Sequence, residues 1–536
     1  VLAVAGLPAG AAERAAVTPK IDPSALRAHV RFLADDLLEG REAGTRGHEI
    51  AARYVASEFE AIGLEPGGPE GSYLQQVPLR RTTLVADSSR LALVSAGQPV
   101  RELRANKDYV ASPSALRVAS EVKGPVVYVG FGITAPGRKH DDYAKVDVRG
   151  KIVALLMGAP ASFPNDERAY YSSRTLKAEN AAAHGAKGLI FLLSPEEERR
   201  FPFPRIVEML AGGAVSWLDG SGNPHGSLPQ IGGGAVLSRE GAEALFAGSP
   251  KPLDQAFKDA AAGKTHSFAL PVEVELSSKS VHAALQSPNV LGILRGSDPV
   301  LAKEYVVVSA HLDHLGIGAA REGDTIYNGA LDNASGTAAI IEMARAFAEL
   351  PKRPRRSLVF AAVTAEEKGL LGAEYFTSNS TVPIADVVAN LNVDMPLTLF
   401  PLKDVIAFGA EHSSLGKIVT ESAGRLGLEV SPDPFPDEVI FIRSDHFPFV
   451  QKGIPAVMIC SGQKSADPKV EGGAVFGRWL ATVYHSPKDD LAQPLDYAAT
   501  AKITQLYYLI ADRVADDAKR PTWNDGDFFG KLFGRK

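Results

Sequence analysis

"EYVVVSAHLDH", residues 304–314, opens as a continuous apolar, β-branched run and closes on three polar residues, His311, Asp313 and His314. An unbroken apolar run of this length predicts a strand buried on both faces, which is the signature of a parallel sheet covered by helices. The text that follows repeats one plan. A helix-period stretch, "ASGTAAIIEMARAFAEL" (334–350), leads to the strand "RSLVFAAVTAEE" (356–367), the helix "LLGAEYFTSNS" (370–380) and the strand "VVANLNVDM" (387–395). Strands alternating with amphipathic helices predict an α/β fold with a layered sheet and helices on both faces. In such sheets the chemistry collects at the carboxyl ends of the strands.

Upstream, residues 24–66 show two helical periodicities broken at Gly40 and Gly44 and stopped at Gly63. The runs "GPVVYVGFGI", "GKIVALLMG" and "GAKGLIFLL" read as strands, with the helix "SRTLKAENAAAHGA" before the last of them. They predict a separate β-rich insert. The expected organisation is a signal-like or flexible 1–22, an amino-terminal part of the main domain at 23–114, the insert at 115–270, the catalytic domain at 271–518 and a tail at 519–536. The tail, basic and aromatic, is expected to pack loosely. A chain of 536 residues exceeds the size of one hydrophobic core, so more than one domain is required.

With 57 Lys and Arg against 63 Asp and Glu, the net charge of −6 argues against a nucleic-acid partner, which needs a basic face. Cys460 is the single cysteine, so an intrachain disulfide and a thiolate-rich zinc site are both excluded. The first residues, "VLAVAGLPAGAAERAA", resemble the apolar part of a secretory signal, with Ala9-Gly10-Ala11 as a cleavage site, and predict a secreted or periplasmic protein. No stretch is long and apolar enough to cross a bilayer.

Three consecutive strands end in potential ligands: His311 and Asp313, Glu366 and Glu367, and Asp394. Asp332, just before a helix, and His485, in "VYHSPKDD", add two more. A lone carboxylate at a strand end is ordinarily a cap or a solvated charge. Four of them converging (Asp332, Glu366, Glu367, Asp394) would repel and shift toward their protonated forms unless cations sat among them. Imidazole and carboxylate without thiolate suit zinc, and manganese or cobalt can take the same ligands. Because neighbouring side chains on an extended segment point in different directions, Glu366 and Glu367 need not share a role.

The segments "HLDH", "GALDNASG", "EEKGLLGAEYF", "NVDM" and "YHSPKDD", in this order, resemble the co-catalytic zinc aminopeptidases of peptidase family M28. The likeness extends to "LEGREAGTRGHEIAARYVASEFEAIGLEP", and "DDYAKVDVRGKIVALL" with "AENAAAHGAKGLIFL" is similar to a protease-associated (PA) domain. The resemblance spans about residues 24–516. It implies a three-layer zinc-exopeptidase-like mixed sheet with a PA-like insert serving as a lid or access element, two zinc ions per subunit and peptide substrates.

It further implies that His311 and Asp394 are terminal ligands of one ion, that Glu367 and His485 are those of the other, and that Asp332 bridges them through a residue followed by a cis peptide. Glu366 becomes the general acid and base, Asp313 orients the His311 imidazole, and the Tyr484 hydroxyl assists at the oxyanion. In "FIRSDHFPF", Arg443 and Asp445 match a segment near the substrate pocket, where an acid holds a peptide's amine or a base its carboxylate. His314 falls outside this ligand set, because its neighbours already fill the pattern.

The expected activity is release of amino-terminal residues. The rival two-metal reading is a carboxypeptidase or amidohydrolase, within M28 or of the M20 type. The M20 type usually carries a lid domain between the last aspartate and last histidine ligands, a space of 485 − 394 = 91 residues here. Glutaminyl cyclisation on the same fold uses one metal, and the paired ligands count against it. A non-catalytic binding protein on this fold is the rival from another class, and the presence of every ligand and the base counts against it.

Overall fold

The computed structural model describes residues 18–264, 266–396 and 398–535. Residues 1–17, most of the signal-like segment, lie outside the described residues. The chain forms two compact units, one from residues up to Gln75 with Pro288–Pro434 and Ser444 onward, the other from Gln76–Ser287 and Phe435–Arg443.

The first unit is built on a mixed sheet. Residues 290–294 pair antiparallel with Glu65–Pro66 on one side and with Ser357–Val363 on the other. Then come Tyr305–His311, Val387–Asn392 and Ala456–Ser461, each parallel to its neighbour. Asp404–Phe408, antiparallel to Ala456–Ser461, and Glu429–Ser431 complete it. Side chains alternate across a strand. Val306, Val308 and Ala310 face helices Pro23–Leu33, Arg46–Ile62, Ser335–Ala348 and Tyr497–Asp516 in one core. Tyr305 and Val307 face Leu371–Ser378 and His446–Gln451 in another. The result is the expected three-layer α/β arrangement, and the apolar run lacks alternation because both of its faces are covered.

Local signals set the helix ends. The Asp22 carboxylate accepts the Ser24 amide at 2.9 Å to start the first helix. Thr45 caps the second, and Gly63, with φ +85°, stops it.

In the second unit, Ala119–Tyr128, Ile152–Leu156, Gly188–Leu192 and Gly234–Leu237 run parallel in that order. The insert is wider than the expected 115–270. Arg90–Val94 pairs with residues 273–277, Arg101–Leu103 pairs with Arg90–Val94, and Tyr109–Ala111 pairs with Gly234–Leu237. The first and last of these pairings join residues more than a hundred positions apart, which composition does not encode. The short segment 435–443 joins this unit as well, with Glu438 paired to Arg200 at 2.7 Å.

The expectation of a loose tail is corrected. Phe529 is fully buried, edge-on to His412 and Phe447. Trp523 Nε1 donates to Gly453 O at 3.1 Å, and the Arg535 guanidinium donates to the carbonyls of Ile384, Ala385 and Val387. The tail's aromatic and basic residues have an apolar seat and main-chain carbonyls to meet, so its composition signals docking instead of solvation.

Candidate metal centre and active site

Parallel strands in register end at one edge of the sheet, and that edge carries the candidate residues. Tyr305–His311 pairs with Ser357–Val363 from Tyr305↔Ser357 to His311↔Val363, so Glu366 and Glu367 emerge just past His311. Asp394 follows Val387–Asn392 by two residues. Asp332 lies in the turn before helix Ser335–Ala348, and the Asp332–Asn333 peptide is cis, as the resemblance implied.

His311 Nε2 lies 3.2 Å from Asp332 Oδ1 and 3.3 Å from Asp394 Oδ1. His485 Nε2 lies 3.2 Å from Asp332 Oδ2 and 3.3 Å from Glu367 Oε2. Asp332 thus offers one oxygen to each of two donor groups. Zinc bonds of roughly 2.0–2.1 Å at tetrahedral angles set neighbouring donors about 3.3 Å apart. The spacing of both groups fits that value, and no thiolate is among them. The residues present fit two zinc ions, held by His311, Asp332 and Asp394 and by His485, Asp332 and Glu367.

Electrostatics make the same demand for positive charge. Burial works against the charged form of both imidazoles. Glu366 and Asp394 outweigh it and hold His311 well above its ordinary value, while hydrogen bonds to Asp332 and Glu367 raise His485 to about 10. Burial pushes Asp332 and Glu367 up and the histidines pull them down, leaving Asp332 well below the carboxylate range and Glu367 at about 2. The cluster is stable as anions beside cations, and metal binding displaces the imidazole protons.

Glu366 behaves differently from its neighbour. Burial raises its carboxyl well above 4.5; His311 opposes, while Glu367, Asp445 and Asp394 add to the rise. It belongs to the same cluster yet favours a bound proton. Tyr484 stacks on His485 with ring centroids 3.8 Å apart, and burial and the carboxylates around it raise its hydroxyl.

Asp313 sits differently from the expectation that its carboxylate orients the His311 ring. Its Oδ1 is 4.0 Å from His311 Nδ1, and the nearer partner of that nitrogen is the Asp313 main-chain carbonyl at 3.1 Å. The carboxylate instead accepts the amides of Glu366 and Glu367, at 3.0 and 3.3 Å, and so fixes the turn that separates the two glutamates. Asp445 is completely buried, neither carboxylate oxygen has a hydrogen-bond partner, and burial raises it well above the ordinary value. The Arg443 guanidinium is exposed and bonds Glu438 at 3.2 Å.

Three residues, Asp489, Ser444 and Arg41, escaped the sequence reading, and the ligand set it implied leaves out His314. Asp489 accepts the amides of Leu331 and Asp332 at 2.9 and 3.0 Å. Ser444 donates to Asp394 Oδ2 at 2.6 Å and is itself held by Asn392 Nδ2 at 2.7 Å, leaving Asp394 Oδ1 for the cluster. The buried Arg41 donates to the carbonyls of Leu312, Asn328 and Gly329, tying the loops after two strands together. His314 lies 2.7 Å from Glu367 Oε1. Asp489 and Ser444 stood inside motifs already quoted, but nothing in a motif says which polar residue turns toward a ligand and which toward the backbone.

Residues 289–511 match peptidase family M28, and residues 122–228 match the PA domain. The chain is 37% identical over 137 residues, 24% of its length, to "Aminopeptidase NAALADL1" of Mus musculus, covering 16% of that protein. It is 29% identical over 228 residues, 41% of its length, to "Leupeptin-inactivating enzyme 1" of Streptomyces exfoliatus, covering 47% of that protein. The chain therefore spans less than half the length of these curated relatives. Among solved structures, the "Aminopeptidase from Aneurinibacillus sp. strain AM-1" superposes with TM-score 0.53 at 19% identity, over 94% of this chain and 96% of that one, a likeness of fold.

Proposed function

Because residues 289–511 belong to peptidase family M28, with a PA domain ahead of them in the chain, we propose that the protein is a dinuclear zinc exopeptidase that releases residues from the amino termini of peptides. The observation that carries the reading is the sharing of Asp332, whose two oxygens each lie 3.2 Å from a different histidine.

Zinc, when bound, supplies a Lewis acid that lowers the pKa of water and polarises a carbonyl. The chain's own residues do the rest. Glu366, poised among carboxylates and not consumed as a ligand, takes the proton of the attacking water and returns it to the leaving amine. Asp313 holds Glu366 in place by its backbone amide. The Tyr484 hydroxyl, kept protonated by burial, donates to the oxyanion of the tetrahedral species. Asp445, whose raised carboxyl lacks a hydrogen-bond partner, would ionise against a peptide's free α-ammonium group, and that pairing favours an aminopeptidase over a carboxypeptidase.

The signal-like composition of residues 1–22 supports placing the protein outside the cytoplasm, which cell fractionation tests. For the activity, the test is turnover of aminoacyl, amino-blocked and carboxy-terminal peptides before and after chelation. Cleavage that needs a free amine and disappears with the metal is the expected result. Equal cleavage of blocked peptides would overturn the aminopeptidase assignment.

A further inference from the structure

His314 is wholly buried, three residues past His311. Its Nδ1 lies 2.7 Å from Glu367 Oε1 and 3.9 Å from Asp332 Oδ2, and its ring meets that of His485 edge-on at 5.8 Å. Despite the short approach, neither ring nitrogen of His314 nor Glu367 Oε1 has a hydrogen-bond partner. A buried polar atom left unsatisfied costs about 1–3 kcal/mol, so Nδ1 and Oε1, which approach each other, call for something that satisfies both. A hydrogen bond places the acceptor along the donor's N–H direction. Nδ1 and Oε1 approach without that alignment, and the ligand atoms of His314, Asp332 and Glu367 lie within 4.8 Å of one another, as donors around one ion do.

The ring has little freedom to leave. A Cβ on Gly329, which adopts φ +60°, would lie 2.6 Å from His314 Cγ, so only glycine leaves room for the imidazole at this point. The His314 amide donates to Arg41 O at 3.3 Å, pinning the backbone from the other side.

We propose that His314 is a direct ligand of the ion held by Glu367, Asp332 and His485, so that this ion has four protein ligands while the ion at His311, Asp332 and Asp394 has three. The inference rests on the two-zinc reading above and adds an asymmetry to it. Zinc sites with four protein ligands are closed and hold their metal as structure, whereas sites with three keep a position for water or substrate. The Glu367 side is then the tightly held, coordinatively filled ion. The Asp394 side is the exchangeable one, where substrate enters.

The test uses the full-length protein loaded with zinc, and a parallel preparation loaded with cobalt. Zinc release into a chelator is followed with time, together with the visible absorption of the cobalt form, in wild type, His314→Gln and His314→Leu. Wild type is expected to release one zinc quickly and the second at least about tenfold more slowly, a ratio typical of losing a metal-site partner. Both variants are expected to bind two zinc ions at loading, to release them in one fast phase, and to show a cobalt absorption shifted from that of wild type. The leucine variant fills the buried space without a ligand, so agreement between the two variants separates ligation from a packing defect. Unchanged cobalt absorption in both variants, with or without faster release, would overturn direct ligation. A wild-type chain that binds no zinc would end the two-zinc reading itself, a result distinct from either.

Discussion

Asp489 holds Asp332 by its backbone: one carboxylate oxygen accepts the Asp332 amide at 3.0 Å while the other accepts that of Leu331 at 2.9 Å. Asp332 is thereby fixed at its main chain, and its own carboxylate is free to face both donor groups. Burial raises Asp489 to about 6, and the two amides, with His314, work in the opposite direction to keep it ionised. Asp489→Asn replaces one of the two accepting oxygens with a donor. Zinc affinity, measured by competition with a chelator, is expected to fall about 10–100-fold while far-ultraviolet circular dichroism stays unchanged. Unaltered affinity would mean that the loop holds Asp332 without this clamp.

The two adjacent glutamates are expected to separate cleanly. Glu366→Gln removes proton transfer and leaves the ligands intact, so turnover falls by about 10²–10⁴-fold with two zinc ions still bound. Glu367→Gln removes a ligand oxygen's charge, so metal content falls along with activity. Metal analysis beside a rate measurement decides it, and the reverse pattern would exchange the roles of the pair.

The docked tail is expected to carry stability. Phe529 is fully buried, and truncating a buried phenylalanine costs about 3–5 kcal/mol. Phe529→Ala should lower the denaturant midpoint of the first unit accordingly. A midpoint within error of wild type would restore the loose tail.

Lys177 in the insert predicts a pH dependence. Its Nζ is buried, donates to Phe131 O at 2.5 Å, and is lowered by burial to about 7, with Asp142 and Glu197 opposing. The folded state then binds its proton less readily than the unfolded chain, whose lysine titrates near 10.5. Between about pH 7 and 10.5 the unfolded state carries more protons, so stability rises with pH across that window and is flat below it. Lys177→Met removes the titration. The stability of wild type relative to the methionine variant, from denaturation at pH 7 and pH 10, is expected to increase at the higher pH by on the order of a few kcal/mol. A flat or falling difference would show that Lys177 stays charged in the fold.

The chain itself determined the layered α/β sheet and the residues at its edge, because both are written in local patterns. The run at 305–310, apolar but for Ser309, requires burial on two faces, and polar residues placed just after three such runs require a shared strand-end edge. What local pattern does not carry is direction and long-range pairing. Only the folded structure assigned Arg90–Val94 and Tyr109–Ala111 to the insert, because strand partners are chosen across more than a hundred residues. Only it turned the Asp313 carboxylate to two backbone amides, Ser444 to Asp394 and His314 to Glu367. A side chain's partner is set by where distant backbone brings a donor or acceptor within about 3 Å, and neighbours in sequence hold no record of that distance.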